Sequence, residues 1–125
     1  MTRHWTDDEL TRIGEARELY ISTRRTDGSL RAAIPIWQVR VDEEIYIRSA
    51  RGPENGWFRR AVESGLGRIS SGGVEKDVTF EPTSEQSAEI TAAYHAKYDR
   101  YGPGPVGAVT GDDVLGTTLR VRPQV

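Results

Sequence analysis

Leu30-Arg31-Ala32-Ala33-Ile34-Pro35-Ile36-Trp37-Gln38-Val39-Arg40-Val41 is the stretch on which the fold turns. It is long for a strand and rich in β-formers, and its apolar residues do not keep to one face. Ile34 and Ile36 point one way, while Trp37, Val39 and Val41 point the other. A strand buried on both sides along part of its length suits a sheet rolled into a closed or nearly closed barrel. Pro35 has no N–H to offer a ladder, so it belongs at an edge or a bulge.

On the N-terminal side, Glu18 to Arg25 alternates Leu19, Ile21 and Thr23 with Tyr20, Ser22 and Arg24, which predicts a half-buried strand. Thr26-Asp27-Gly28-Ser29 joins the two strands as a hairpin, with Asp-Gly supplying the positive φ such turns need. Earlier still, Thr6 and Glu9 have capping-box spacing and Trp5 and Leu10 have staple spacing, so a short helix should end near Gly14.

On the C-terminal side, Asp42-Glu43 is a tight turn into a strand over Glu44–Ala50, with Ile45 and Ile47 opposite Tyr46 and Arg48. A helix over Trp57–Glu63 follows, apolar at Trp57, Phe58, Ala61 and Val62. Strands over Arg68–Ser71 and Val74–Glu81 meet at Gly72-Gly73. Thr83 and Gln86 repeat the capping-box spacing before a helix that should reach Tyr101, with Ile90, Ala93, Tyr94, Tyr98 and Tyr101 on one stripe. Gly102-Pro103-Gly104-Pro105 ends it. Val106–Leu115 has room for one more helical turn before a last strand over Gly116–Arg122. The expectation is one α+β, mainly antiparallel domain over residues 1–125, with six strands and about three helices around a small barrel.

Composition narrows the function. Hydrophobic residues make up 36% and charged residues 29% of 125, the profile of a globular chain able to bury a core. A net charge of −2 argues against bulk nucleic-acid binding. Cysteine is absent, which excludes disulfides and thiolate chemistry. His4 and His95 are the only histidines, so no metal site is expected. The N-terminal stretch Met1 to Glu9 has no apolar core of a secretion signal, and no apolar run approaches the ~20 residues that span a bilayer. A cytoplasmic protein without a membrane partner is the expectation. No serine has a histidine partner suited to nucleophilic catalysis.

The densest chemistry lies in Ile47-Arg48-Ser49-Ala50-Arg51-Gly52-Pro53-Glu54-Asn55-Gly56-Trp57. Arg48, Ser49, Arg51 and Gly52 precede a helix N-terminus near Gly56, where free amides attract anions. Trp57 adds a flat apolar surface, and Arg60 lies one turn on. The alternative is a solvated turn with Trp57 in the core. A second basic cluster, Arg24, Arg25 and Arg31, surrounds the hairpin; it suits either a ligand or charged protection of an edge strand. The tyrosine stripe reads as core or as a dimer seam.

Several of these stretches carry a family resemblance. Ile36-Trp37-Gln38-Val39-Arg40-Val41, Ile45-Tyr46-Ile47-Arg48-Ser49-Ala50-Arg51-Gly52-Pro53, Gly56-Trp57-Phe58-Arg59-Arg60-Ala61, Gly73-Val74-Glu75-Lys76-Asp77-Val78-Thr79-Phe80 and Tyr94-His95-Ala96-Lys97-Tyr98 resemble the uncharacterised bacterial proteins called domain of unknown function 2255. More distantly, residues 21–70 resemble the six-stranded split β-barrels that bind flavin mononucleotide (FMN) or a deazaflavin coenzyme, in their deazaflavin-dependent nitroreductase branch. That resemblance implies cofactor phosphate at Ser49 and Arg51, with Arg25 or Arg31 assisting. It implies a ring system packed near Pro35 and Trp37, a turn and helix marked by Gly52, Trp57 and Phe58, and a homodimer with cofactor at the subunit interface. The chain departs from the pattern in its long C-terminal helix and tail, and in using Arg where Lys is common.

Three functions fit: a flavin- or deazaflavin-binding oxidoreductase whose chemistry belongs to the cofactor, a non-catalytic barrel that binds a small anionic ligand, and a dimeric structural protein that has lost the cofactor.

Overall fold

The computed structural model describes residues 4–124. Residues 1–3, which belong to the stretch read as lacking a secretion signal, and residue 125 lie outside the described residues. Leu30–Val41 does not run as one strand. It breaks into β2 (Ile34–Ile36) and β3 (Gln38–Val41), with only Trp37 between them. The other strands are β1 (Leu19–Thr23), β4 (Glu44–Ile47), β5 (Leu66–Ser71), β6 (Val74–Pro82) and β7 (Leu119–Pro123). Their order in the sheet is β2-β1-β5-β6-β7-β4-β3, antiparallel at every pairing. The two edges are therefore consecutive in the chain, and Trp37 joins them. The sheet rolls into a nearly closed barrel, split at that corner.

Seven strands form where the sequence suggested six, because the mixed facing of Leu30–Val41 is resolved by a break. Ile36 packs against the barrel core, whereas Trp37, Val39 and Val41 belong to a second apolar cluster outside it. The two halves also take different partners, β2 pairing with β1 and β3 with β4, so the chain changes partner strands at Trp37. Pro35 pairs with Tyr20 on the β2 edge, where its missing N–H costs the sheet nothing. The Asp-Gly hairpin forms as expected, with Gly28 at φ +89°.

The barrel interior holds Leu19, Ile21, Ile45, Ile47, Ile69, Val78, Phe80, Leu119 and Val121. Two helices seal it. From α1 (Asp7–Glu15) come Leu10 and Ile13, and the preceding Trp5 donates its indole N–H to the Val121 carbonyl at 2.9 Å. From α2 (Gly56–Ser64) come Trp57, Phe58 and Ala61. Val62, expected on that apolar face, is 43% exposed, because the barrel mouth accepts a stripe narrower than the sequence suggested.

The Thr6–Glu9 capping box is complete: Glu9 N–H donates to Thr6 Oγ1 at 3.2 Å and Thr6 N–H to Glu9 Oε1 at 2.9 Å. Thr6→Ala is expected to cost about 1 kcal/mol in a urea unfolding titration. An unchanged transition midpoint would show that α1 is held by Trp5 and Leu10 alone.

A second layer covers the outer face of β3 and β4. It consists of α3 (Ser87–Tyr98), a 3-10 turn over Asp99–Tyr101, α4 (Pro103–Thr110) and a 3-10 stretch over Asp112–Thr117. Ile90, Tyr94 and Tyr98 of the expected stripe are buried there with Val39, Tyr46, Val106 and Val109. Two details differ from the sequence reading. Gln86 is not part of a capping box: it sits at the N-cap with φ +57°, its carboxamide accepting from Tyr46 Oη, while Thr83 accepts from the Glu85 amide. The Gly-Pro-Gly-Pro run is also a start, since Pro103 occupies the first turn of an eight-residue helix.

Gln38 ties the two layers together. It is fully buried, and its amide nitrogen donates to Ile13 O, Ala16 O and Ser71 Oγ. Its own carbonyl accepts from Tyr98 Oη and Lys97 Nζ. No helix among the described residues is long and apolar enough to cross a membrane.

Candidate functional site

Strand β4 ends at Ile47, and the chain turns through residues 48–55 into α2. The first two polar residues of this turn face inward. Arg48 is 1% exposed, and its three guanidinium nitrogens donate to Thr118 Oγ1, Thr91 Oγ1, Val109 O, and Ser87 O and Oγ at 2.9–3.4 Å. Its charge lies 5.6 Å from the centre of the Tyr94 ring and meets no carboxylate among the described residues. Burial pushes its pKa down, with Tyr94 opposing that shift. Ser49 is also fully buried; its amide donates to Thr117 Oγ1 and its hydroxyl to Gly52 O. Arg48, read as part of the anion-binding turn, and Ser49, expected at the cofactor phosphate, spend their donors on the fold: Arg48 on α3, α4 and Thr118, Ser49 on Thr117 and on Gly52 of its own turn.

Beyond them the turn opens. Arg51 is exposed, and neither a hydrogen bond nor an ion pair engages it among the described residues. Gly52, at φ +85°, shapes the bend. Asn55 caps α2 by position but not through its side chain, and the first α2 amide to find a helical acceptor is that of Arg59. The amides of Gly56, Trp57 and Phe58 are thus left as donors at the helix start.

A cleft of about 540 Å³ lies between this turn, strand β2 and helix α4. Pro35, Ile36, Trp37, Arg51, Asn55 and Trp57 line it, with Val109 from α4. Trp37 is stacked on Tyr98, with ring centroids 4.0 Å apart and planes 10° apart, so its orientation on the cleft wall is fixed by α3. Trp57 contributes less than its position suggested: it is 5% exposed and belongs mainly to the barrel core, in edge-on contact with Phe58. The helix α4 wall was not anticipated from sequence. The signal for it was Pro103, a proline placed to open a helix as well as to follow one.

Arg25, Arg31 and Arg60 come together elsewhere, in a smaller pocket of about 160 Å³ that also includes Arg24 and Glu63. Arg24 is committed to Asp77 at 3.0 Å, and Arg25 to Ser29 and Leu30 of its own hairpin. The Nε atoms of Arg31 and Arg60 are buried and find no hydrogen-bond partner. The Arg60 guanidinium folds back over the start of α2; a Cβ on Gly56 would lie 3.1 Å from its Nη1. Arg60 thus links the arginine pocket, which otherwise meets α2 at Glu63 and Ser64, to the helix start beside the cleft.

Comparison with known proteins agrees with this architecture. A family model described as an uncharacterized protein conserved in bacteria (DUF2255) matches residues 9–121. No curated protein matches the chain. Among solved structures, HutZ, the heme storage protein from Vibrio cholerae, aligns over 95% of this chain and 90% of its own, at 13% identity and a TM-score of 0.63. An FAD-binding protein from Mesorhizobium loti aligns over 98% and 93%, at 14% identity and 0.60. An F420 reductase aligns over 97% of both chains, at 14% identity and 0.59. At such identities the likeness is one of fold.

Proposed function

The chain belongs to the uncharacterised bacterial family DUF2255, and on that premise we propose that it binds a planar, anionic cofactor of the flavin or deazaflavin class in the cleft beside Trp37. The observation that carries this reading is an aromatic and aliphatic wall beside the start of α2, with Arg51 uncommitted at its rim and Arg60 reaching back to Gly56. Its solved neighbours, among them an FAD-binding protein and an F420 reductase, lend it support by fold.

The residues present fit such a group. Pro35, Ile36 and Trp37 offer an apolar face of the size a ring system needs. The acidic end of the molecule takes Arg51 and the first α2 amides. The orphaned Nε atoms of Arg31 and Arg60, with Arg25 beside them, suit a phosphate or carboxylate that reaches past Gly56. Arg48, at the inner wall of the cleft, and Ser49 behind it hold the turn in place. When bound, the cofactor supplies hydride or electron transfer. The chain's part is to orient the ring against the fixed Trp37, neutralise the acidic tail and exclude water from the inner wall. Tyr20, 45% exposed, and Ile34, 36% exposed, lie on adjacent strands at the β2 edge and suit a homodimer in the cytoplasm with the cleft near the subunit contact.

The second reading is a non-catalytic barrel for another small anionic ligand. It draws on the cleft lining, where Glu18 is the one carboxylate and no histidine or cysteine stands ready to move a proton.

Native mass spectrometry of freshly purified protein, followed by fluorescence titration with FMN, FAD and coenzyme F420, decides between them. Micromolar or tighter binding of one of these is expected. Arg51→Ala should weaken it about tenfold, the loss of one charge-assisted contact of ~1.5 kcal/mol. A phosphorylated non-redox ligand that depends on Arg51 would favour the second reading. A colourless protein that binds none of the three cofactors would sink the first.

A further inference from the structure

Only two of the 17 basic residues are lysines, Lys76 and Lys97. They sit in opposite settings. Lys76 is paired with Glu9. Lys97 lies on α3 and forms no ion pair among the described residues. Its Nζ donates to Gln38 O at 2.8 Å and lies 5.0 Å from the centre of the Tyr98 ring.

Lys97 borders a groove of about 520 Å³ that runs across β3 between α1 and α3. Leu10, Val39, Ala93 and Ala96 supply its apolar lining, with Glu15 and Arg40 as its other charged residues. None of its lining residues is shared with the cleft beside Trp37. An arginine could make the same contact with the Gln38 carbonyl, and this chain uses arginine almost everywhere else. What lysine alone offers is an amine that can lose its proton and act as a nucleophile.

We propose that Lys97 is a carbonyl-trapping amine and that this groove admits a short aliphatic aldehyde to it. The ε-amine lone pair attacks the carbonyl carbon, and the carbinolamine then loses its oxygen together with the two amine hydrogens as one water molecule. An imine is left on Nζ. No external oxidant or reductant enters. The proposal does not rest on the cofactor reading.

The electrostatics agree with the geometry. Burial pushes the Lys97 pKa down to about 8. The Gln38 carbonyl and the Tyr98 ring favour the charged form, and neither carries a negative charge. Tyr94 and Tyr98, the phenols on the same helix, have pKa values raised by burial and are neutral near pH 8. Glu15 from α1 and Arg40 from β3 are exposed and opposite in sign. At pH 7.5 about a quarter of such an amine is free base, against ~0.1% for an ordinary lysine.

The test is reductive alkylation of the full chain with butanal and cyanoborohydride, read peptide by peptide by mass spectrometry. Lys97 is expected to be labelled at least tenfold faster than Lys76 at pH 7.5, with a rate profile half-maximal near pH 8. The preference should vanish in 8 M urea (about full unfolding for a domain of this size). Lys97→Arg should abolish the fast reaction while the Lys76 rate stays unchanged. Equal or slower labelling of Lys97 in the folded protein, a midpoint above pH 10, or a preference that persists in urea would each overturn the proposal.

Discussion

Arg48→Ala is expected to lower the unfolding free energy by about 3–5 kcal/mol, a large share of the total for a domain of ordinary stability. The guanidinium is fully enclosed and bridges three elements that are distant in sequence: Ser87 and Thr91 of α3, Val109 of α4 and Thr118 before β7. Truncation removes these charge-assisted bonds and leaves a cavity behind the 48–55 turn. It also strips the Val109 carbonyl, in the last turn of α4, of a favourable cationic partner.

Two companion variants separate the contributions. Arg48→Lys keeps the charge but has a single head group, so it should recover only part of the loss. Arg48→Met fills the space without charge. If it matches the parent in a urea titration, the hydrogen bonds do no more than offset the cost of burying the cation. The consequence reaches the cleft, because Val109 and the neighbouring Ala108 form part of its wall. An Arg48→Ala protein that still folds should bind the proposed cofactors poorly, because Arg48 borders the cleft and also holds α4 against it.

Gly72→Ala is expected to cost about 3 kcal/mol. Gly72 and Gly73 form the β5–β6 turn with φ +59° and +85°. A side chain at Gly72 meets two penalties. The first is the left-handed backbone, which an L-residue tolerates only with strain. The second is contact: a Cβ there would lie 2.2 Å from the Arg12 carbonyl oxygen of α1. A Cβ has no torsion by which to turn aside and its neighbour is backbone, so relief requires α1 to move off the barrel and to loosen Leu10 and Ile13 from the core. Gly73→Ala is the control. It has a similar φ, but its Cβ meets nothing closer than an Arg12 guanidinium nitrogen at 3.6 Å. Gly72→Ala should therefore lower the urea midpoint well beyond Gly73→Ala. Equal losses would mean that the α1 contact contributes nothing and that strain accounts for the whole effect.

Much of the molecule was legible in the sequence, and for local reasons. The Thr6–Glu9 box, the Asp-Gly hairpin, the alternation over β1 and β4, and the apolar stripe of α3 each depend on residues a few positions apart. The mixed facing of Leu30–Val41 correctly implied a closed or nearly closed barrel. It could not reveal that the chain crosses from one sheet edge to the other at Trp37, since partner strands are chosen by contacts across the barrel. Thr83 and Gln86 had the right spacing for a cap. Tyr46, forty residues earlier, claimed the Gln86 side chain instead.

The arginines divide along the same line. From residue type alone, Arg25, Arg31, Arg48, Arg51 and Arg60 were equivalent cations near glycine-rich turns. Which of them is spent inside the fold and which is left for a ligand depends on what lies within about 3 Å of each guanidinium, and for Arg48 those neighbours lie as many as seventy residues away. By itself, the sequence determined the barrel's pieces, their facing and the chemical character of the 48–57 turn, because strand period, helix caps and turn residues act over short range. Only the tertiary structure decided the crossing at Trp37, the α4 wall of the cleft, the internal use of Arg48 and Ser49, and the solitary setting of Lys97. Each of those depends on burial and on hydrogen-bond partners that the chain supplies from far along its length.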